Sequence, residues 1–272
     1  MRRMMIVLIA IVVCTLQTFG QEKTTLKTDG WAPLSGRVTL EGDVPAAVPL
    51  APAIMALNNP VDRACCNAAP AKQKIKPNWV VDPKTKGVAN VAVWILPPAG
   101  TVFPVHPLDK KRRDTVTIDQ PFCAFVPHMV AHYPSYHDGK ELVSTGQKFL
   151  VKNSSIVTHN VRATTQVKFN DPFNINMISK TDREFTFKPQ PLPITLECDL
   201  HRFMNAYVFV FDHPYFAITQ EDGTFTIPRV PYGAAVSVMA WHEEPGYVLT
   251  PNGMKMVFKE GKNEFNFSIK AK

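Results

Sequence analysis

The chain has 272 residues, a formal charge of +7 and 24 prolines against 13 glycines, enough for one large or two ordinary domains. Short runs rich in valine, threonine and phenylalanine, with no window of sustained helical period, argue for an all-β chain. The charge is modest and lacks aromatic-interleaved basic repeats, which excludes nucleic acid as a partner. No Ser-His-Asp set, carboxylate pair or phosphate-cradling loop supports hydrolytic or transferase chemistry.

In chain order, Met1-Arg2-Arg3, an apolar run to Cys14 and the ending Thr18-Phe19-Gly20 read as a signal peptide over 1–20, its core too short for a permanent span. Its removal takes away two arginines and no acid, so +7 becomes +5. Cys14 follows Val13 rather than a small residue, which argues against a lipoprotein. The mature chain is expected in the periplasm or secreted, where disulfides are allowed. Residues 21–34 are polar and patternless, a flexible leader. Residues 35–43 alternate and end on Gly42-Asp43, a strand and its turn. Residues 44–70 hold Pro45, Pro49, Pro52, Pro60 and the pair Cys65-Cys66, and read as a long ordered loop. Residues 79–82 and 88–96 are two more strands. The basic, proline-containing stretch 99–115 suits a domain crossing, and Lys110-Lys111-Arg112-Arg113 a solvated loop. The block 115–212 has the size of one β-sandwich. Beyond it, residues 215–219 and 224–227 flank Gln220-Glu221-Asp222-Gly223 as a hairpin, and strands at 235–241 and 263–269 follow.

The chemistry concentrates in Cys198-Asp199-Leu200-His201-Arg202-Phe203-Met204. The preceding residues alternate, so Ile194, Leu196 and Cys198 share the inward face of a strand. Residues 206–211 are apolar on both faces, as in a fully buried strand. A thiol, an imidazole and a thioether on a tight loop between strands would suit a mononuclear copper site if a second imidazole arrived from elsewhere. Softness sets the roles: two imidazoles and a thiolate form the trigonal plane, with a long thioether bond on the axis. His159-Asn160, after the strand-like residues 146–153, can supply it, since neighbouring strands need not be neighbours in sequence.

The order His159-Asn160, Cys198, His201, Met204 resembles the cupredoxins. That resemblance implies His159, Cys198 and His201 as equatorial copper ligands, Met204 as the axial one, and Asn160 as a residue steadying the thiolate. Residues 198–206 and 212–217 look like the Cys-x-x-His-Pro-Trp-Met-x-Ala and Asp-His-Pro-Tyr-Phe-Ala of exported bacterial proteins of plastocyanin-like or methylamine-utilisation-like type. Here Arg202-Phe203 stands in place of Pro-Trp, and two residues rather than plastocyanin's four separate His201 from Met204. The binuclear loop of cytochrome oxidase needs a second cysteine where this chain has Asp199 and Leu200, and is rejected.

The tail, with Asp222-Gly223, Phe225, Ile227, Pro231 and Gly233, resembles the second half of a carboxypeptidase-regulatory-like, transthyretin-like sandwich, and Gly36-Arg37-Val38 with 90–96 resembles its first half. The expected architecture is therefore a Greek-key cupredoxin sandwich, 99–212, inserted into a smaller sandwich made of 35–98 and 213–272. If Cys198 is a ligand it is free, and Cys123 can pair with Cys65 or Cys66; Cys66 is named as the candidate, with one thiol left over. The plainer alternative makes two disulfides of the four mature cysteines and leaves His201 and Met204 as loop and core.

Other residues read as structural. His128 and His132, on one strand face, would stand about 13 Å apart, too far for one metal. With His137 they are not taken as a second site. His242-Glu243-Glu244 lacks the second histidine of a zinc-protease motif and reads as a solvated turn. The resemblance implies an exported one-electron carrier, not an enzyme, with His201 as an exposed electron door, Leu200 and Phe203 as an apolar contact, and Arg202 facing an acidic redox partner such as a c-type cytochrome. Copper catalysis needs an open coordination position that Met204 would fill. The alternative function is an extracellular module binding carbohydrate or protein through Trp31, Trp79 or Trp94.

Overall fold

Buried strands are apolar on both faces only where both faces are covered, and Asn205–Val210 is such a strand. In the computed structural model, which describes residues 23–249 and 252–271, Ala206, Val208 and Val210 enter one core and Phe209 another. The strand belongs to a five-stranded sheet ordered Phe173–Met177, His159–Thr164, Ile194–Glu197, Asn205–Val210, Met129–His132. The last pair is parallel and the rest antiparallel. A three-stranded sheet, Thr181–Phe185, Lys148–Asn153 and Thr115–Asp119, supplies Ile118, Phe149, Val151 and Phe185 to the same core as Val161, Ile194 and Leu196.

A second core lies between two further sheets, and both sheets join strands from either side of the first sandwich. In one, Ala92–Leu96 pairs with Phe216–Ile218 and Ala235–His242. In the other, Gly30–Glu41 pairs with Thr224–Tyr232 and, in parallel, with Phe267–Lys270. Leu34, Val38, Val93, Ile95, Ile227 and Val238 fill the space between. The fold is all-β, and among the described residues its α-helices lie in one segment, 51–67.

Several expectations are corrected. The leader is ordered from Thr24: Thr24–Thr25 pairs with Thr101–Val102, and the strand begins at Gly30, with Ala32 and Leu34 buried on alternate positions between Trp31, Pro33 and Ser35. The proline-rich loop contains helix α1, Ala51–Met55, and helix α2, Pro60–Asn67. Pro52 and Pro60 stand at helix starts, where no N–H is needed, rather than at breaks, and Asn59 caps α2 by accepting from Val61 N at 2.9 Å. Leu50, Ile54 and Cys66 pack into the first sandwich although their flanking strands belong to the second. The turn 220–223 forms, with Gly223 at φ 80° and Gln220 N donating to Thr224 O, but its strands part into opposite sheets, so it is a crossing and not a hairpin. Residues 79–82 form no strand; Val81 makes an isolated bridge to Val88. The predicted signal peptide lies outside the described residues. Among those residues no helix is long and apolar enough to cross a membrane.

Candidate metal centre

Alternation along Ile194–Glu197 carries over to Cys198, whose side chain is buried with those of Ile194 and Leu196. The antiparallel register that pairs Arg162 with Glu197 brings the start of the neighbouring strand, His159-Asn160, beside that thiol. Asn160 N points at Cys198 Sγ from 3.5 Å. The loop closes tightly: Met204 N donates to His201 O at 2.9 Å and Cys198 N to Met204 O at 3.3 Å. The Asn160 side chain ties the two segments together. Its Oδ1 accepts from Asp199 N and Leu200 N at 2.7 and 3.3 Å, and its Nδ2 donates to Asn174 Oδ1 at 2.6 Å.

Three candidate donor atoms converge. His159 Nδ1 and His201 Nδ1 are 3.0 Å apart, and Cys198 Sγ stands 3.8 and 3.7 Å from them. A triangle with these edges has its centre about 2 Å from each corner, the length of a metal–imidazole bond. Met204, buried within the same core, adds a thioether at the loop's end. Burial, then the neighbouring His201, lowers the His159 pKa to about 4, and burial lowers that of His201 against the pull of Asp62. Both rings are therefore neutral near pH 7 and offer lone pairs. Burial raises the Cys198 thiol, opposed by amides of Asn160, His201 and Leu200, so a cation would have to displace its proton. Two imidazole nitrogens facing each other, neither able to donate to the other if both protons sit at Nε2, beside a soft sulfur, fit a soft or borderline cation.

His201 is not the exposed door expected of it. Its side chain is fully buried beneath α2, and Asp62 Oδ2 approaches its Nε2 to 3.5 Å, ion-pair range but long for a hydrogen bond. The disulfide Cys66–Cys123 ties α2 to the first sandwich, and its sulfurs and a His201 ring nitrogen lie within 4.8 Å of one another. Cys65 and Cys198 are free thiols. Asp62 was missed at the sequence level. The Asn59-Pro60 capping pattern could have revealed α2, but nothing local places it over His201.

The remaining histidines take structural parts. His128 Nε2 meets Glu243 Oε1 at 2.6 Å and its Nδ1 meets Asn205 O at 3.0 Å, so the expected solvated turn at 242–244 is instead half of a buried hydrogen-bonded pair. His242 is buried, its ring tilted against that of Trp79 with centroids 4.4 Å apart. His132 is buried, and His137 lies on the short strand Ser135–His137. Trp94 is buried, while Trp79 and Trp31, whose Nε1 donates to Tyr215 Oη at 2.9 Å, are half-buried.

No protein-family model matches the chain, and neither does any curated protein. Solved cupredoxins are similar to part of it. Amicyanin from Paracoccus versutus has 18% identity over 44% of this chain and 97% of that one, with a TM-score of 0.29. A purple cupredoxin from Nitrosopumilus maritimus has 14% identity over 35% of this chain and 99% of that one, at 0.27. A copper-containing nitrite reductase from Thermus scotoductus SA-01 has 14% identity over 43% of this chain, at 0.28; the match spans 25% of the reductase.

Proposed function

We propose that this chain binds one copper ion through His159, Cys198, His201 and Met204 and serves as an exported one-electron carrier. The observation that carries the reading is the convergence of two imidazole Nδ1 atoms and one thiol on a common centre within a buried core. Bound there, copper supplies a one-electron couple. The protein's own groups limit rearrangement around that couple: Cys198 follows directly from a sheet strand, His159 begins the neighbouring one, and Asn160 locks the loop to that strand. The Asn160 amide would steady the thiolate and Met204 would offer its thioether as a further ligand, which favours a carrier over a catalyst. The disulfide fits an oxidising compartment.

A redox protein such as a c-type cytochrome would dock at the loop, where Leu200 is half-exposed and Arg202 offers a charge to an acidic surface. Because His201 is covered, contact passes through the Asp62-bearing turn and Leu200 rather than through the imidazole itself. Such contacts are small and transient. Titrating the mature protein with Cu(II) should raise an intense visible thiolate-to-copper band that Cys198→Ser lacks, and voltammetry should record a reversible couple. A loaded protein with neither band nor couple overturns the reading.

A further inference from the structure

The disulfide beside His201 has more than a stapling geometry. Its two sulfurs and a ring nitrogen of His201 lie within 4.8 Å of one another, as do the donor atoms of His159, Cys198 and His201. The two sets share His201. Its ring is fully buried and its Nε2 has no hydrogen-bond partner, with Asp62 standing off at 3.5 Å. Cys123 is also reachable: with Met204, Phe203, Leu50, Phe125 and Gln73 it lines a cavity of about 300 Å³, into whose lining Gln73 brings an Oε1 with no partner.

We propose that Cys66, Cys123 and His201 form a second, redox-gated metal site, created when the disulfide is reduced, that takes Cu(I) and passes it to the His159, Cys198 and His201 set. The chemical class follows from the donors. Two thiolates and an imidazole are soft, and they select a soft monovalent ion over hard divalent ones. The opening step is thiol–disulfide exchange with an external dithiol: the Cys66–Cys123 bond breaks, a disulfide forms in the reductant, and its two electrons and two protons move to Cys66 and Cys123. Cu(I) binding then releases the two thiol protons. In the transfer Cys66 and Cys123 each regain a proton, one released by Cys198 as it ionises and one taken from solvent, while His201 stays common to both sites. Only the receiving end rests on the copper reading above; the second site itself does not.

The test uses the mature chain carrying Cys198→Ser, which disables the first set, with bicinchoninate as a chromophoric competitor for Cu(I). After reduction by a water-soluble phosphine, one equivalent of Cu(I) should be held against the chelator; the unreduced protein should hold none. Adding His201→Ala should weaken the reduced protein's affinity about tenfold or more, as loss of a ligand does. Adding Cys65→Ser should change nothing. Binding that is equal before and after reduction, or indifferent to His201→Ala, overturns the proposal, because an unstructured thiol pair has no need of the imidazole. Loss of the near-ultraviolet dichroism on reduction overturns it too, since the site requires the fold. Absence of a visible Cu(II) band in the wild-type protein would instead sink the carrier reading and leave this result standing.

Discussion

Asn160 shows how one amide can hold a loop to a strand. Its Oδ1 takes two backbone amides from the 198–204 loop, and its own N–H faces the Cys198 sulfur. Asn160→Ala keeps that backbone N–H but strands Asp199 N and Leu200 N without an acceptor. Leaving buried donors unmade costs roughly 1–3 kcal/mol each, and these are partly buried, so we expect a loss of about 2 kcal/mol in urea unfolding. The copper-loaded variant should also show a shifted visible band, because the loop carrying His201 is no longer pinned. A variant with wild-type stability and spectrum would deny Asn160 this role. The converging side chains were legible in the sequence because residue type limits them: few positions offer a thiol, an imidazole and a thioether in one loop after an alternating strand. Asp62 was not legible. A carboxylate on a surface-looking segment carries no mark of the ring it will cover, and its approach to His201 exists only through tertiary packing.

Among elements, α2 departs most from its sequence reading, and the reason is physical. Proline ends a helix from within but begins one well, and Pro60 follows a capping asparagine. Counting prolines without their positions turns a helix into a loop. Strand alternation was informative where one face meets water, as at 194–198, and failed at 30–34, where Trp31 and Pro33 on the other face blur the contrast with buried Ala32 and Leu34. Which sheet a strand joins was not legible either, because the turn at 220–223 is the same whether its strands pair or part. The anchoring of α2 can be measured. The Cys66–Cys123 bridge spans a sequence separation of 57, and closing a loop of that size in the unfolded chain is worth about 4 kcal/mol on the chain-entropy model. Cys123→Ser should therefore lower unfolding free energy by roughly 2–5 kcal/mol. Asn59→Ala, which removes only the cap, should cost about 1 kcal/mol. If the two losses were equal, the bridge would contribute little beyond local helix ends.

At the scale of the whole molecule, the two sandwiches share a third core: Trp94 and Met239 from one side meet Phe209, Phe211 and Met129 from the other, and His128–Glu243 crosses nearby. Dry contact of this kind makes joint unfolding the expectation, and it leaves several imidazoles without water. His132, His213 and His242 are all buried, and burial lowers each pKa from the ordinary 6.5 to about 4. His132 has an unpartnered Nδ1, and His213 Nδ1 accepts from Tyr215 N at 3.2 Å, an arrangement open only to the neutral ring. The sign follows from proton counting. Between pH 6.5 and 4 the unfolded chain protonates these rings and the folded chain does not, so unfolding takes up protons and stability falls as pH falls. Above pH 6.5 both states are neutral there and the contribution is flat; below 4 the folded rings charge and the loss levels off. Each ring contributes a slope of up to about 1.4 kcal/mol per pH unit inside that window. Asp114, held low by Arg112, adds a loss of the same sign but at more acidic pH. Urea midpoints of the metal-free protein, in which burial also lowers His159 and His201, should thus drop steadily from pH 6.5 toward 4.5, and His213→Asn should remove roughly a fifth to a quarter of the slope whatever it does to stability at pH 7.5. A profile unchanged in slope by His213→Asn would mean that this ring is charged in the native core, which its contact with the Tyr215 amide forbids.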